Sequence, residues 1–472
     1  MKLRVKNLGP IKQGEIDLSK RFFVFVGYNN TGKTYMAQVL WSVLEFFGHS
    51  YIFTRKLKWD FNFSNELGVG NKWNIDINFL LDYYQKELTE KIIEDLNNDS
   101  LKDFELDLSD VFRTFIDNEF SYKFEKEKTF YTVNKAKNTT EFSIKEIEEI
   151  EYRNIKGNSI HRALSDETIT DYLYDVISKA LIPFDDYQHN VFLPANRAFY
   201  PTFYRYIYQV AKDKNEIISK AIKAGKDVNE IRQLIKTDYS KAMDSLTGFV
   251  NGLNTNQIPN TNYQDFINDL QKIMGGDIDI QRVEGFSPIE FKFKLNGTVL
   301  DMHTASSSVN QLTVLNTYFK YWASEKNNFL IMDEPEENLH PKNQIALLNL
   351  LMKFANKNDN KVLITTHSPL ITDAVNNHLH LGYLKSLGEN IDAIIDENHL
   401  NIDKEAAMSH EDIGVYFFDG QSIKPYEIND YGVFFRDFRK YEKEVEDTSN
   451  LLTNRIFDVL EKKNDNLHKL NQ

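Results

Sequence analysis

The sequence predicts an α/β fold, a mixed sheet built around a glycine-rich loop and interrupted by helical insertions. Apolar runs carry most of that reading. Phe22-Phe23-Val24-Phe25-Val26, Phe329-Leu330-Ile331-Met332 and Lys361-Val362-Leu363-Ile364-Thr365 lack the alternation of a half-solvated strand. Near-continuous runs of this kind, separated by helical patterns, are how parallel strands buried on both faces read. The first run leads straight into Gly27-Tyr28-Asn29-Asn30-Thr31-Gly32-Lys33-Thr34, and a helix-like stretch from Tyr35 to Phe47 follows. Strand, glycine-rich turn and helix in that order form one supersecondary unit.

The elements follow in chain order. Met1 to Val5 and Ile11 to Leu18 read as short paired strands around a turn at Asn7-Leu8-Gly9-Pro10. Residues 48–189 change character, with much Asn, Lys, Glu and Phe and weak periodicity, and are expected to be a mainly helical insertion with some strands. Val191 to Arg197 reads as a short apolar strand that ends in a polar loop. Residues 200–250 are expected to form a helical hairpin arm, broken at Gly225-Lys226-Asp227, with Asp227 as N-cap of a helix over 228–235. Asn296-Gly297 is a strong hairpin signal between Phe291–Leu295 and Thr298–Met302. Residues 386–472 read as a C-terminal α+β segment, amphipathic and helical from Phe434 to Leu460. Sustained heptads, the sign of a long coiled coil, do not occur.

Length and composition set outer bounds. A chain of 472 residues has room for two or three domains. Its 41% hydrophobic and 27% charged residues place it among ordinary globular proteins. No apolar run approaches the ~18 residues of a membrane span, and the strand-like start is not expected to be a signal peptide. With no cysteine, disulfides, thiolate zinc sites and cysteine nucleophiles are excluded, and a cytoplasmic location is expected. The net charge of −14 argues against broad coating of nucleic acid but leaves room for a locally basic groove.

The octapeptide at 27–34 is a complete phosphate-binding P-loop. Its backbone N–H groups close on phosphates, and the helix behind it offers a positive N-terminus. Gly27, Asn29, Asn30, Thr31, Gly32 and Lys33 are therefore expected to bind nucleotide, with Lys33 on the β/γ-phosphates and the Thr34 hydroxyl on Mg²⁺. ATP and Mg²⁺ are the expected ligands. The strand at 329–332 ends in Asp333-Glu334-Pro335. Asp333 suits a carboxylate that holds Mg²⁺ through water, and Glu334 suits a general base for the attacking water. Ser306-Ser307-Ser308 precede a helix and make good caps, but hydroxyls at a helix N-terminus also form an anion site. His367, at the end of Leu363-Ile364-Thr365-Thr366, lies where ligands bind in open α/β sheets and is expected to contact a γ-phosphate.

This ordered set resembles the ATP-binding-cassette class, and within it the SMC-type and overcoming-lysogenization-defect (OLD) branch common in bacterial phage-defence systems. Residues 27–34 match Walker A, 329–334 Walker B, 306–312 the signature, 337–340 the D-loop and 365–368 the histidine switch. The resemblance implies an ABC-type head over 1–47 and 190–385, and a head-to-tail homodimer or larger homo-oligomer. Ser306 and Ser307 of one chain would cap ATP held by the other, and Arg197 would face the nucleotide or the dimer partner. Without nucleotide, Asp333, Glu334, Glu336 and Glu337 would crowd that interface and repel. Ser308 stands where the signature usually has glycine, which implies slow or partner-stimulated hydrolysis. Gln188 is the candidate for the Q-loop.

OLD-type nucleases add a Toprim module with clustered acids. Asp392, Asp396, Asp403, Glu411 and Asp412 lack its pattern, Asp277-Ile278-Asp279 lies inside the cassette, and His378 and His380 sit too close to the last strand for an HNH site. The resemblance therefore implies a standalone ATPase, as in PARIS- or Septu-like systems. Such a switch controls a separately encoded effector, a nuclease or toxin, with a phage protein or nucleic acid as trigger and no membrane partner. The alternative is an OLD-like nucleic-acid-processing enzyme with its own metal site; a transporter-type cassette is a third and weaker reading.

Overall fold

The computed structural model describes residues 2–48, 72–76, 78–97, 101, 103–110, 120–126, 129–138, 141–147, 189–227, 230, 240–253, 259–282 and 289–470. The chain opens with an antiparallel pair, β1 (Lys2–Leu8) and β2 (Ile11–Asp17), around the expected turn. β3 (Phe22–Gly27) leads through the P-loop into α1 (Lys33–Gly48). Then come β4 (Lys72–Asp76), α2 (Asn78–Asp95), β5 (Glu105–Asp107), β6 (Phe120–Lys126), β7 (Thr129–Lys135) and β8 (Glu141–Ile147). β9 (His189–Leu193) precedes α3 (Phe199–Lys223), α4 (Lys241–Asn251) and α5 (Gln264–Met274). A meander of β10 (Asp277–Arg282), β11 (Ile289–Leu295) and β12 (Thr298–Asp301) leads into α6 (Ser307–Thr317). β13 (Asn328–Asp333), α7 (Pro341–Ala355), β14 (Lys361–Thr366), α8 (Pro369–Ser386) and α9 (Ile391–Glu397) follow. The last elements are β15 (Ile413–Phe418), β16 (Ile423–Pro425) and α10 (Lys440–Leu470).

Six strands make the central sheet, in the order β16-β15-β3-β14-β13-β9, parallel except for β16. Every residue of β3, β13, β14 and β15 is buried, as the unbroken apolar runs require. Phe22, Val24, Leu330, Met332, Val362 and Ile364 join one large core with residues of α5, α6 and α7. Phe23, Phe25, Ile331 and Leu363 alternate with them at the two-residue period of a strand and are equally buried. α1 packs against β3, β9, β13 and β14. The parallel arrangement brings the C-terminal ends of β9, β13, β14 and β3 to one edge, where α/β sheets bind their ligands.

Two expected boundaries change. Among the described residues of 48–189 strand prevails over helix. β4, β8, β7 and β6 form an antiparallel four-stranded sheet, and β5 pairs with β1. Much of that insertion, Gln188 included, lies outside the described residues. The C-terminal segment contributes a strand to the central sheet. β15 pairs along the whole of β3, so 413–418 belongs to the core sheet that the expected 1–47 and 190–385 boundaries left open. In the 200–250 arm, α3 ends at Lys223 with Gly225 left-handed at φ 69°. Asp227 Oδ1 accepts from Glu230 N at 2.9 Å, the expected N-cap bond. The rest of 228–235 lies outside the described residues. Asn296 and Gly297, at φ 48° and 82°, form the hairpin turn between β11 and β12.

Candidate active site

The P-loop closes because its glycines admit backbone contacts that a side chain blocks. A Cβ on Gly27 would meet Phe418 O at 2.5 Å, and one on left-handed Gly32 (φ 97°) would meet Ile11 Cδ1 at 2.7 Å. Asn29 and Asn30 form the exposed tip, with Asn30 left-handed at φ 61°. Thr31 is buried, and its hydroxyl donates to Tyr28 O at 2.8 Å. Lys33 is 5% exposed and its ammonium donates to Gly27 O and Tyr28 O, both at 2.8 Å. Burial pushes its pKa down, while Glu334, Asp333 and Glu336 pull the other way. The Lys33 ammonium is thus held over the loop on two of its backbone carbonyls.

Strand register brings the carboxylates to this loop. Asp333 on β13 pairs with Thr365 on β14, and the Thr365 hydroxyl donates to Asp333 Oδ1 at 2.5 Å. Thr34 Oγ1 lies 3.0 Å from both Asp333 carboxylate oxygens. A hydroxyl and a carboxylate converging in this way are hard oxygen donors of the type Mg²⁺ takes. Burial raises the Asp333 pKa, against hydrogen bonds from Thr365 and Thr34; a bound cation would reverse that bias.

Glu334 sits just past the strand in a left-handed conformation, φ 44°, and its amide donates to Thr365 Oγ1 at 3.1 Å. The half-exposed His367 ring places Nδ1 3.5 Å from Glu334 Oε1. That contact lowers the Glu334 pKa and raises that of His367. The structure therefore brings Lys33, Thr34, Asp333, Glu334 and His367 into one cluster.

Sequence reasoning missed the part played by Glu336. It does not crowd a surface: it is 5% exposed, and Oε1 accepts from the Thr366 hydroxyl at 2.6 Å and from the His367 amide at 3.2 Å. Burial raises its pKa. Asp333 is equally withdrawn, at 4% exposure, so the expected repulsion is left to the half-buried Glu334 and Glu337. The signal for Glu336 was its two-residue spacing from Glu334, which alone does not tell an inward from an outward carboxylate.

Arg197 differs most from expectation. It stands in a single 3-10 turn, Ala195–Ala198, that follows β9, and it is fully buried. It faces neither a nucleotide pocket nor a surface, because its guanidinium is used by backbone carbonyls. Nη1 donates to Asp333 O at 2.8 Å and Pro194 O at 3.1 Å, and Nη2 to Pro335 O at 3.3 Å and Glu334 O at 3.4 Å. Burial pushes its pKa down to about 10.

Ser306 is the N-cap of α6, accepting from Val309 N at 3.3 Å, and both Ser306 and Ser307 are exposed. Ser308 Oγ turns back to Ser306 Oγ at 2.8 Å, so the hydroxyl that replaces the usual glycine partly occupies the cap. Gln311, buried on the same helix, donates to Ala195 O at 2.9 Å and Glu337 Oε2 at 3.4 Å. Five of the seven acids considered for a second metal site are paired with basic side chains. Asp277 pairs with Lys320 and Asp279 with Lys294, each at 2.8 Å. Asp392 pairs with Lys404, Asp403 with Lys353 and Asp412 with Arg21. Among the described residues no three His, Asp or Glu side chains are placed to hold a metal ion together.

Fold and site together define a P-loop nucleotide-binding protein of α/β type. The chain belongs to a family of ATPases: the model of the AAA ATPase domain family AAA_15 matches residues 1–372. No curated protein matches the chain. Among solved structures it is similar to the Smc head domain of Pyrococcus furiosus with an extended coiled coil, bound to the C-terminal domain of ScpA. That match has 12% identity over 94% of this chain and 98% of the other, with a TM-score of 0.34. An SmcHead bound to the C-winged helix domain of ScpA matches at 11% identity, 90% and 98% coverage and TM-score 0.33. The SMC head domain from Thermotoga maritima matches at 10%, 90% and 98%, with TM-score 0.28. Among the described residues no helix is long and apolar enough to cross a membrane.

Proposed function

We propose that this chain binds and hydrolyses ATP in an ABC-type site, dimerises around the nucleotide and, as a switch, controls a separately encoded effector, in the manner of an anti-phage ATPase subunit. The observation that carries the reading is the convergence of Thr34, Asp333, Glu334 and His367 beside the buried Lys33. Lys33 leaves the loop carbonyls for the β/γ-phosphates, and Thr34 and Asp333 hold the cation. Mg²⁺, when bound there, would supply positive charge against the charge that develops on the transferred phosphate. Glu334, kept ionised by His367, takes the proton of the attacking water at its carboxylate. Exposed Ser306 and Ser307 at the start of α6 offer hydroxyls and a helix N-terminus to the nucleotide of a partner chain.

A switch can bias an effector only by binding one of its states better than the other. The pairing of Asp277 and Asp279 with lysines supports an effector on a separate chain. The test is equilibrium ATP binding and turnover on purified protein. Glu334→Gln is expected to keep binding and to lose ~10²–10⁴-fold in turnover, whereas Lys33→Ala loses binding. Wild-type turnover in Glu334→Gln overturns the base assignment. Incubation of the pure protein with plasmid and RNA, with Mg²⁺ or Mn²⁺, is expected to leave both intact. Cleavage that survives Lys33→Ala and disappears on replacing Asp277 and Asp279 restores the nuclease reading.

A further inference from the structure

The general base proposed above sits on a loop whose geometry is imposed from below. Glu334 is a non-glycine residue at φ 44°, a conformation that costs free energy and persists only where the surroundings fix it. Two groups grip the loop. The Thr365 hydroxyl receives the Glu334 amide, and the Arg197 guanidinium spans the carbonyls of Asp333, Glu334 and Pro335, three consecutive residues.

The chemistry of Arg197 is unusual for a buried cation. Buried charges normally face a carboxylate. This one is fully buried, all four of its hydrogen bonds run to carbonyls, and Nε has no partner among the described residues. A planar fork of five donors suits a row of carbonyls; a lysine ammonium, a compact point charge, does not span it. The anchorage of Arg197 is also rigid. It rides on a 3-10 turn fixed at one end by β9, which is paired with β13, and held by Gln311 of α6 through Ala195 O. That turn therefore joins the helix that starts at Ser307 to the loop that carries Glu334.

We infer that Arg197 is a positioning residue for hydrolysis: its guanidinium holds the Asp333–Pro335 backbone so that Glu334 is aimed at the attacking water, without itself touching nucleotide. The inference rests on the assignment of Glu334 as general base. Its consequence is a split between binding and turnover. The P-loop contacts do not involve Arg197, and the Asp333 carboxylate is held separately by Thr34 and Thr365, so ATP affinity is left alone while the chemical step suffers.

The experiment uses the full chain with Arg197→Lys and Arg197→Gln, each alone and combined with Glu334→Gln. Thermal unfolding, MgATP titration and single-turnover hydrolysis are measured for each. Folded Arg197→Lys is expected to bind MgATP within threefold of wild type and to hydrolyse it about 10²-fold more slowly, in the range of a lost general base. The double variant is expected to be no slower than Glu334→Gln alone, because the two changes remove the same event. Turnover within threefold of wild type in either folded variant overturns the inference. So does a matching loss of affinity, or a double variant slowed by the product of the two single effects. If neither variant folds, Arg197 is a stability element and the inference fails. Wild-type turnover in Glu334→Gln instead sinks the base assignment itself, which is a different outcome.

Discussion

His378 is 1% exposed within α8, where burial pushes its pKa down to about 4 from 6.5, against a backbone contact to Ala406 and the charge of Asp403. Its folded pKa lies below the unfolded one, so the unfolded chain binds the extra proton between those values. The stabilisation is therefore complete above pH 6.5 and is lost as pH falls toward 4, by on the order of 3 kcal/mol. His378→Leu is expected to flatten that part of the curve, and urea midpoints of both proteins at pH 7.5 and 5 measure it; equal slopes contradict the assignment. The same residue marks a limit of sequence reading. Spacing from the last strand argued against His378 and His380 as an HNH pair, but nothing in the sequence showed that His378 is buried in the core. Lys33, Thr34, Asp333 and Glu334 were legible because strand ends and a P-loop fix where such side chains point. Arg197 and Glu336 were not, because a buried cation on carbonyls and a carboxylate turned inward have the same letters as their solvent-facing counterparts. Whether a long polar side chain faces in or out depends on what lies opposite, and those partners come from distant positions.

At the level of elements, α10 is rooted in the nucleotide loop. Tyr28 Oη reaches the carbonyls of Asp437 and Phe438, both at 3.0 Å, and its ring packs against Tyr441 with centroids 5.2 Å apart. Arg439 pairs with Asp373 near the start of α8, the helix that follows His367. Beyond this root Val445, Leu451, Leu452, Ile456 and Phe457 are at least 56% exposed. Tyr28→Ala is expected to raise amide exchange across 438–445 while β3 and β14 stay protected, because local openings follow local contacts. Unchanged exchange there means that Arg439 alone anchors the helix. Hairpins such as β11–β12 were legible from Asn296-Gly297, since that pair supplies left-handed geometry directly. The sheet of β4, β8, β7 and β6 was not. β6 does alternate Phe120, Tyr122 and Phe124, but over only seven residues and among lysines and glutamates that favour helix. Pairing with distant strands then overrode that local preference.

For the molecule as a whole, the exposed Ser306–Ser307 cap and the half-buried P-loop face belong to one chain but, on the proposed reading, serve two sites. A two-fold arrangement makes both sites equivalent. Mixing Lys33→Ala protein with Ser307→Arg protein is then expected to restore one working site per heterodimer, up to about half the wild-type turnover per dimer. No recovery in a mixture shown to contain heterodimers rules out sharing. The parallel core was legible because buried strands announce themselves by composition; the membership of β15 was not, since nothing in Ile413–Phe418 names its neighbour. That membership governs when the protein can be made whole. β3 leaves the ribosome well before its neighbour β15, a delay of roughly 20–80 s between residues 27 and 413 at ~5–20 residues per second. Throughout that interval one edge of β3 stays unpaired, and open strand edges recruit other chains. The P-loop, whose Gly27 lies against Phe418 O, gains that contact only once β15 has arrived. A newborn chain stalled at residue 372 would carry all the nucleotide motifs in sequence and still lack the strand that covers this edge of β3.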